Sequence, residues 1–103
     1  MTILEDVREA SGKRLLFLPH AIRQMSRPQR MISAEDVEIV VKQGEVIEDY
    51  PNDPRGLSCL MLGRTDDGRT VHVVCSPKDD YLAIITAYLP DPSQWSDDFR
   101  RRR

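Results

Sequence analysis

This sequence lacks the parts for two common chemistries. It holds only two cysteines, Cys59 and Cys75, and two histidines, His20 and His72. No group of His, Cys and carboxylate residues has the spacing of a zinc or iron site, so neither a metal nor a cofactor is expected. The five glycines are scattered along the chain, which leaves no glycine-rich cradle for a phosphate. Apolar runs are too short for a membrane-spanning helix. The opening MTILEDVREA has acids where a signal peptide needs a basic and then an apolar stretch, so a cytoplasmic protein without a membrane partner is expected. Two isolated cysteines fit a reducing compartment and free thiols. Lysine is scarce as well, three against twelve arginines. Guanidinium forks favour bidentate contacts with anions over generic solubility.

What is present is enough for one domain. A chain of 103 residues can bury a modest core without staples. The net charge of −2 argues against indiscriminate nucleic-acid binding, but the charge is uneven. Residues 10–34 contain no Asp or Glu and carry Lys13, Arg14, His20, Arg23, Arg27 and Arg30. Within that window His20, Arg23, Gln24 and Arg27 stand at i, i+3, i+4 and i+7, on one side of a helix. A proton-transfer group beside guanidinium forks suits a phosphate-bearing ligand.

The pattern predicts a helix over 2–11, with Thr2 and Glu5 as a capping-box pair and Gly12 to end it. Residues 14–18, RLLFL, read as either a strand or a buried connector. Pro19 opens the next helix, and Pro28 ends or kinks it. Ser33 starts another, with Asp36 at N3, an Ile32/Val37 staple and Gly44 as C′ residue. The period then becomes strand-like, giving strands at 45–49, 58–64, 70–75 and 81–89 joined by short turns. The expected fold class is α+β: N-terminal helices packed on a twisted antiparallel sheet of about four strands.

Several side chains in these elements can do chemistry. If the last hairpin pairs Cys75 with Tyr81, then His72, Thr86 and Tyr88 point to one side, Thr86 and Tyr88 sharing a face with Leu82 and Ile84. A one-residue slip would separate them. With His20 or His72 near Arg23 and Tyr88, RNA cleavage needs no metal. A histidine takes the 2′-hydroxyl proton, arginines stabilise the phosphate, and Tyr88 or a second histidine assists the leaving oxygen. The plainer alternatives are a hydrogen-bonded His72, a Tyr88 packed at the core, and Arg23 and Arg27 paired with Glu35, Asp36 or Glu38. The run Arg100–Arg103 reads as a solvated tail. A hairpin loop at Asp66–Gly68 would set Cys59 opposite Cys75.

The strings HAIRQMSR (20–27), ISAEDV (32–37), GEVIEDYP (44–51), VHVV (71–74) and ITAYLPD (85–91) together resemble a bacterial domain family of unknown function. That family is marked by His-Ala-x-x-Arg-Met and Ile-Ser-x-x-Asp-Val and grouped by fold with RelE/ParE toxins and barnase-like ribonucleases. Gln24 departs from the helix motif. The resemblance implies a RelE-like core over 19–95, with 1–18 as an N-terminal extension and 96–103 as a charged tail. It also implies a nuclease-type site drawn from the His20 helix and the sheet, and with the basic His20 face it leads to the expectation of a toxin-like, metal-independent ribonuclease with His20, Arg23, His72 and Tyr88 as catalytic residues. Arg27, Arg30 and Thr86 would bind RNA, and an antitoxin-like protein would be the partner. The alternatives on the same scaffold are a non-enzymatic protein-binding module, including a homodimer, and a ParE-like inhibitor of another enzyme acting through helix 2–11 and the Trp95/Phe99 tail.

Overall fold

The helix starts form where the capping residues stand. Residues 2–103 are described by a computed structural model. In α1 (Ile3–Ser11) the Thr2 hydroxyl accepts from the Glu5 amide at 3.2 Å. In α3 (Ala34–Gln43) the Ser33 hydroxyl accepts from the Asp36 amide and the Asp36 carboxylate accepts from the Ser33 amide, both at 3.0 Å. This reciprocal box satisfies two donors that a helix start leaves open. Between them lies the short α2 (Pro19–Met25), where Pro19 occupies the first turn at no hydrogen-bonding cost.

The strands are β1 (Leu15–Phe17), β2 (Glu45–Tyr50), β3 (Ser58–Arg64), β4 (Thr70–Pro77) and β5 (Leu82–Tyr88). They form one sheet in the order β1-β5-β4-β3-β2. The sheet is five-stranded and mixed, which corrects the expected four-stranded antiparallel one. β2 to β5 make the antiparallel meander, and β1 adds to the far edge parallel to β5, with Leu15 opposite Leu82 and Phe17 opposite Ile84. Bonds from Leu82 N to Arg14 O (2.8 Å) and from Leu18 N to Ile84 O (3.0 Å) fix it there. The apolar RLLFL stretch thus covers an edge that would otherwise stand open. α2 follows directly and packs along β5.

The β3–β4 hairpin turns at Asp66–Gly68, with Thr65 N bonded to Arg69 O at 2.9 Å. Cys59 consequently faces Cys75, and both are buried free thiols. The β4–β5 register differs from the expected one: Cys75 pairs with Ile84, and His72 with Tyr88. A shift between Val74 and Cys75 leaves Ile85 as an extra residue in β5, a β-bulge. Leu82 and Ile84 therefore face the helices, while Thr86 and Tyr88 face the other way, with His72. The shared side of His72, Thr86 and Tyr88 is as expected, but the face shared with Leu82 and Ile84 is not.

Two covers bury the sheet. On one face Val7 and Ala10 of α1 and Val37, Val40 and Val41 of α3 pack on Cys59, Met61, Val71, Val73 and Cys75. On the other face the C-terminal segment after β5 folds back, with Trp95 only 3% exposed. Arg100–Arg103, read as a solvated tail, are exposed, and Arg100 and Arg102 pair with Glu45 and Glu48 of β2. Residues 2–18, set apart in the sequence, supply α1 and the edge strand β1.

Gly44 ends α3 with φ −82°, so no left-handed C′ residue is needed there. Its constraint is space: a methyl group would sit 2.5 Å from Val40 O and closer still to Leu62 O. At Gly12 an added methyl meets only an ordinary contact at 3.4 Å. Gly44→Ala should therefore lose about 1–3 kcal/mol of stability by overpacking. Gly12→Ala should be neutral or gain about 0.5 kcal/mol. Urea unfolding of the two variants beside the wild type measures both.

Candidate functional site

His72 lies at the centre of the sheet face opposite α1 and α3 and is fully buried. Its Nε2 is 2.9 Å from the Phe99 carbonyl oxygen, and its Nδ1 is 3.2 Å from the Tyr88 hydroxyl. A carbonyl can only accept, so Nε2 carries the proton and Nδ1 accepts from Tyr88. The ring stands edge-on to Trp95, with centroids 4.5 Å apart, and to Tyr88 at 5.3 Å. Burial holds the imidazole below its usual pKa, partly offset by the Phe99 carbonyl and the Glu48 charge. His72 is thus a neutral ring with both nitrogens engaged, and it has no free atom for a ligand's proton.

The segment over His72 is held by its arginines. Trp95 and Arg102 form a β-bridge, and the Arg102 guanidinium stacks 4.7 Å from the Trp95 ring centroid. Arg102 then forks onto Glu48, Nε to Oε2 at 2.9 Å and Nη2 to Oε1 at 3.0 Å. The Tyr50 hydroxyl donates to the same carboxylate, and Arg100 pairs with Glu45. The Arg102 fork lowers the Glu48 pKa, and that of Arg102 rises through Glu48. Burial first, and then the Glu48 bond, pushes Tyr50 up to about 12. Sequence reasoning missed Glu48, Tyr50 and Arg102. The one local signal was the even spacing of Glu48 and Tyr50 on β2, which sets both on one face.

A second group of predicted residues lines α2 and the loop after it. His20, Arg23 and Arg27 are exposed. Among the described residues none of the three makes a salt bridge, since Asp36 pairs with Arg69 and Glu38 with Lys42. Arg30 is half-buried and donates to the Gln24 amide oxygen, a neutral partner. Burial and the nearby Arg27 charge lower its pKa, and Tyr88 lies within electrostatic reach. Two apolar side chains share this region, Ile22 at 53% and Met31 at 67% exposure.

The predicted site therefore divides. His72 and Tyr88 meet, Thr86 lies on their face opposite Val74, and Arg30 is within electrostatic reach of Tyr88. No hydrogen bond or ring contact among the described residues joins His20 or Arg23 to His72. No group of three or more His, Cys, Asp or Glu among the described residues is arranged to hold a metal ion. No helix among them is long and apolar enough to cross a membrane.

The sealed imidazole makes stability depend on pH. Its folded pKa lies below the unfolded one, so the unfolded chain takes up the proton first as pH falls. Stability should be complete above about pH 6.5 and decline as pH drops below that value. His72→Gln should flatten the decline between pH 7 and 5, where most carboxylates remain ionised. Melting temperature against pH for the two proteins tests this. Trp95→Ala should cost about 3–5 kcal/mol and make the His72 ring titrate nearer the usual value by NMR.

No match was found among curated proteins or among solved structures. A family model does match residues 17–89, from the last residue of β1 to just beyond β5, leaving out α1 and the C-terminal segment. The chain belongs to that family, the domain of unknown function DUF4258.

Proposed function

We propose that the protein is a toxin-like ribonuclease that binds RNA along α2 and the following loop and cleaves it without a metal. The observation that carries this reading is the row of cations His20 (when protonated), Arg23, Arg27 and Arg30, without a carboxylate partner among the described residues. Most of the remaining arginines are spent on Asp, Glu or backbone carbonyls, so this rim keeps the charge that a phosphodiester would neutralise.

His20 is the exposed histidine, and it takes the role of base. It removes the 2′-hydroxyl proton as that oxygen attacks the adjacent phosphorus and the 5′ oxygen leaves, giving a 2′,3′-cyclic phosphate. Arg23, Arg27 and Arg30 stabilise the charge that builds on the phosphoryl oxygens. Tyr88 serves the leaving oxygen by turning its one hydroxyl proton from His72 Nδ1 to that oxygen. His72 acts through Tyr88 and does not reach the RNA. An antitoxin-like partner would cover this rim.

A second reading is a protein-binding module on the same surface, favoured by the exposed Ile22 and Met31. A ParE-like action through the termini is favoured less, because Trp95 is buried beneath Arg102.

The test is labelled single-stranded RNA at low salt with a chelator present. Wild type should bind with an affinity that falls steeply with salt. Arg27→Gln/Arg30→Gln should flatten that slope by about 0.7 for each phosphate that goes unneutralised. His20→Ala should bind and not cleave. Absence of binding by the wild type would move the assignment to the protein-binding module.

A further inference from the structure

Arg69 ends the β3–β4 hairpin turn, yet its guanidinium joins three separate pieces of chain. Its Nε donates to both Asp67 oxygens, at 2.9 and 3.1 Å. Its Nη2 donates to Asp36 Oδ2 at 3.0 Å, the same oxygen that accepts from the Ser33 amide at the start of α3. Its Nη1 donates to the backbone carbonyls of Arg30 at 2.6 Å and Met31 at 3.3 Å. Asp36 and Asp67 neutralise Arg69, which leaves it no free face for a ligand and sets it apart from Arg27 and Arg30.

The backbone it grips is strained. Met31 has φ +49°, the left-handed region that residues with a Cβ seldom occupy. Its side chain is 67% exposed, so burial does not compensate for that conformation. What holds it is backbone bonding: Arg30 N and Met31 N both donate to Arg27 O, at 2.8 and 3.1 Å, and Ile32 N donates to Met25 O at 3.1 Å. The Arg69 fork completes the hold from the other side. Strain of this kind persists only where the surroundings over-determine it, and it gathers at ligand-contacting segments.

We infer that Arg69 is the positioning residue of the cationic rim: by fixing the Arg30 and Met31 carbonyls it sets the Arg30 guanidinium on the Gln24 amide oxygen, presented to a phosphodiester. The ligand in this inference rests on the RNA reading above. The positioning rests on the geometry alone. A lysine would keep the charge but could not reach Asp36, Asp67 and two carbonyls at once.

The experiment uses Arg69→Lys, Arg69→Lys/Met31→Gly, and Asp67→Asn at an exposed carboxylate. The first readout is the Arg30 side-chain N–H signals of the free protein, which need no RNA. In wild type they should be dispersed, and in folded Arg69→Lys they should collapse to the position of a mobile arginine. The second is RNA affinity at fixed low salt, which should fall about tenfold in Arg69→Lys although net charge is unchanged. Glycine at 31 accepts φ +49° without strain, so the double variant should recover part of that loss. Asp67→Asn should lose about threefold, and it carries the test if Arg69→Lys fails to fold. Unchanged Arg30 signals and affinity in a folded variant would overturn the inference, as would a loss that follows thermal stability alone. If the wild type fails to bind RNA, the proposed function falls, and the Arg30 signals still decide the positioning.

Discussion

β3 is buried along both of its faces from Ser58 to Gly63, and the rest of the fold follows from that. A central strand that is apolar on both sides makes a sheet needing two covers. α1 and α3 supply one. The other is the segment after β5, whose buried Trp95 lies against His72. A histidine under such a cover must have both nitrogens satisfied, because an unpaired buried polar atom is costly. Phe99 O and the Tyr88 hydroxyl do this. The cover is therefore held by polar closure as well as by apolar contact, and the Arg102–Glu48 fork fastens its rim.

This arrangement divides the arginines into two populations. Arg55, Arg69, Arg100, Arg102 and Arg103 face carboxylates and fasten turns and the C-terminal segment. Arg8, Arg14, Arg64 and Arg101 have no carboxylate partner among the described residues either and are scattered along the chain, whereas Arg23, Arg27 and Arg30, also without one, follow one another along α2 and its exit loop. Surface pairs such as Arg100 with Glu45 contribute little each, so the C-terminal cover depends chiefly on Trp95 and the partly buried Glu48. The uncompensated group has no comparable structural task. Burial and then the neighbouring Arg27 charge lower the Arg30 pKa.

Local physics was legible in the sequence. Thr2, Ser33 and Asp36 cap as their types and spacing require, and Cys59 stands opposite Cys75 as the Asp66–Gly68 loop, one of two loop lengths weighed, required. Most of the failures were non-local. RLLFL was ambiguous because its pairing partner, β5, lies far along the chain. The Ile85 bulge reversed one end of β5, and no alternation rule registers one extra residue. His20, Arg23 and Arg27 are exposed, but α2 ends at Met25, so Arg27 stands in the exit loop and not on the helix face expected for it. His72 was set on the right face, but its burial depends on Trp95 and on Arg102 meeting Glu48, meetings of chain segments that composition does not link. The apolar run from Cys59 to Leu62 was the available hint, since a half-exposed strand would have alternated.

Tyr88 is the residue that the sealed and open regions share. Its hydroxyl donates to His72 under the cover, and Arg30 stands near it from the rim. The two influences oppose each other: the Arg30 and Arg102 cations favour the phenolate, and burial disfavours it. Burial dominates, and the Tyr88 pKa lies above the usual phenol value. Tyr88 is consequently a protonated phenol at neutral pH. It can give a proton or a hydrogen bond, and it cannot serve as a base. Within the RNA reading this fixes the division of labour. The exposed His20 is left as the group able to accept the 2′ proton, and Tyr88 serves the leaving oxygen only by turning its one hydroxyl proton away from His72 Nδ1.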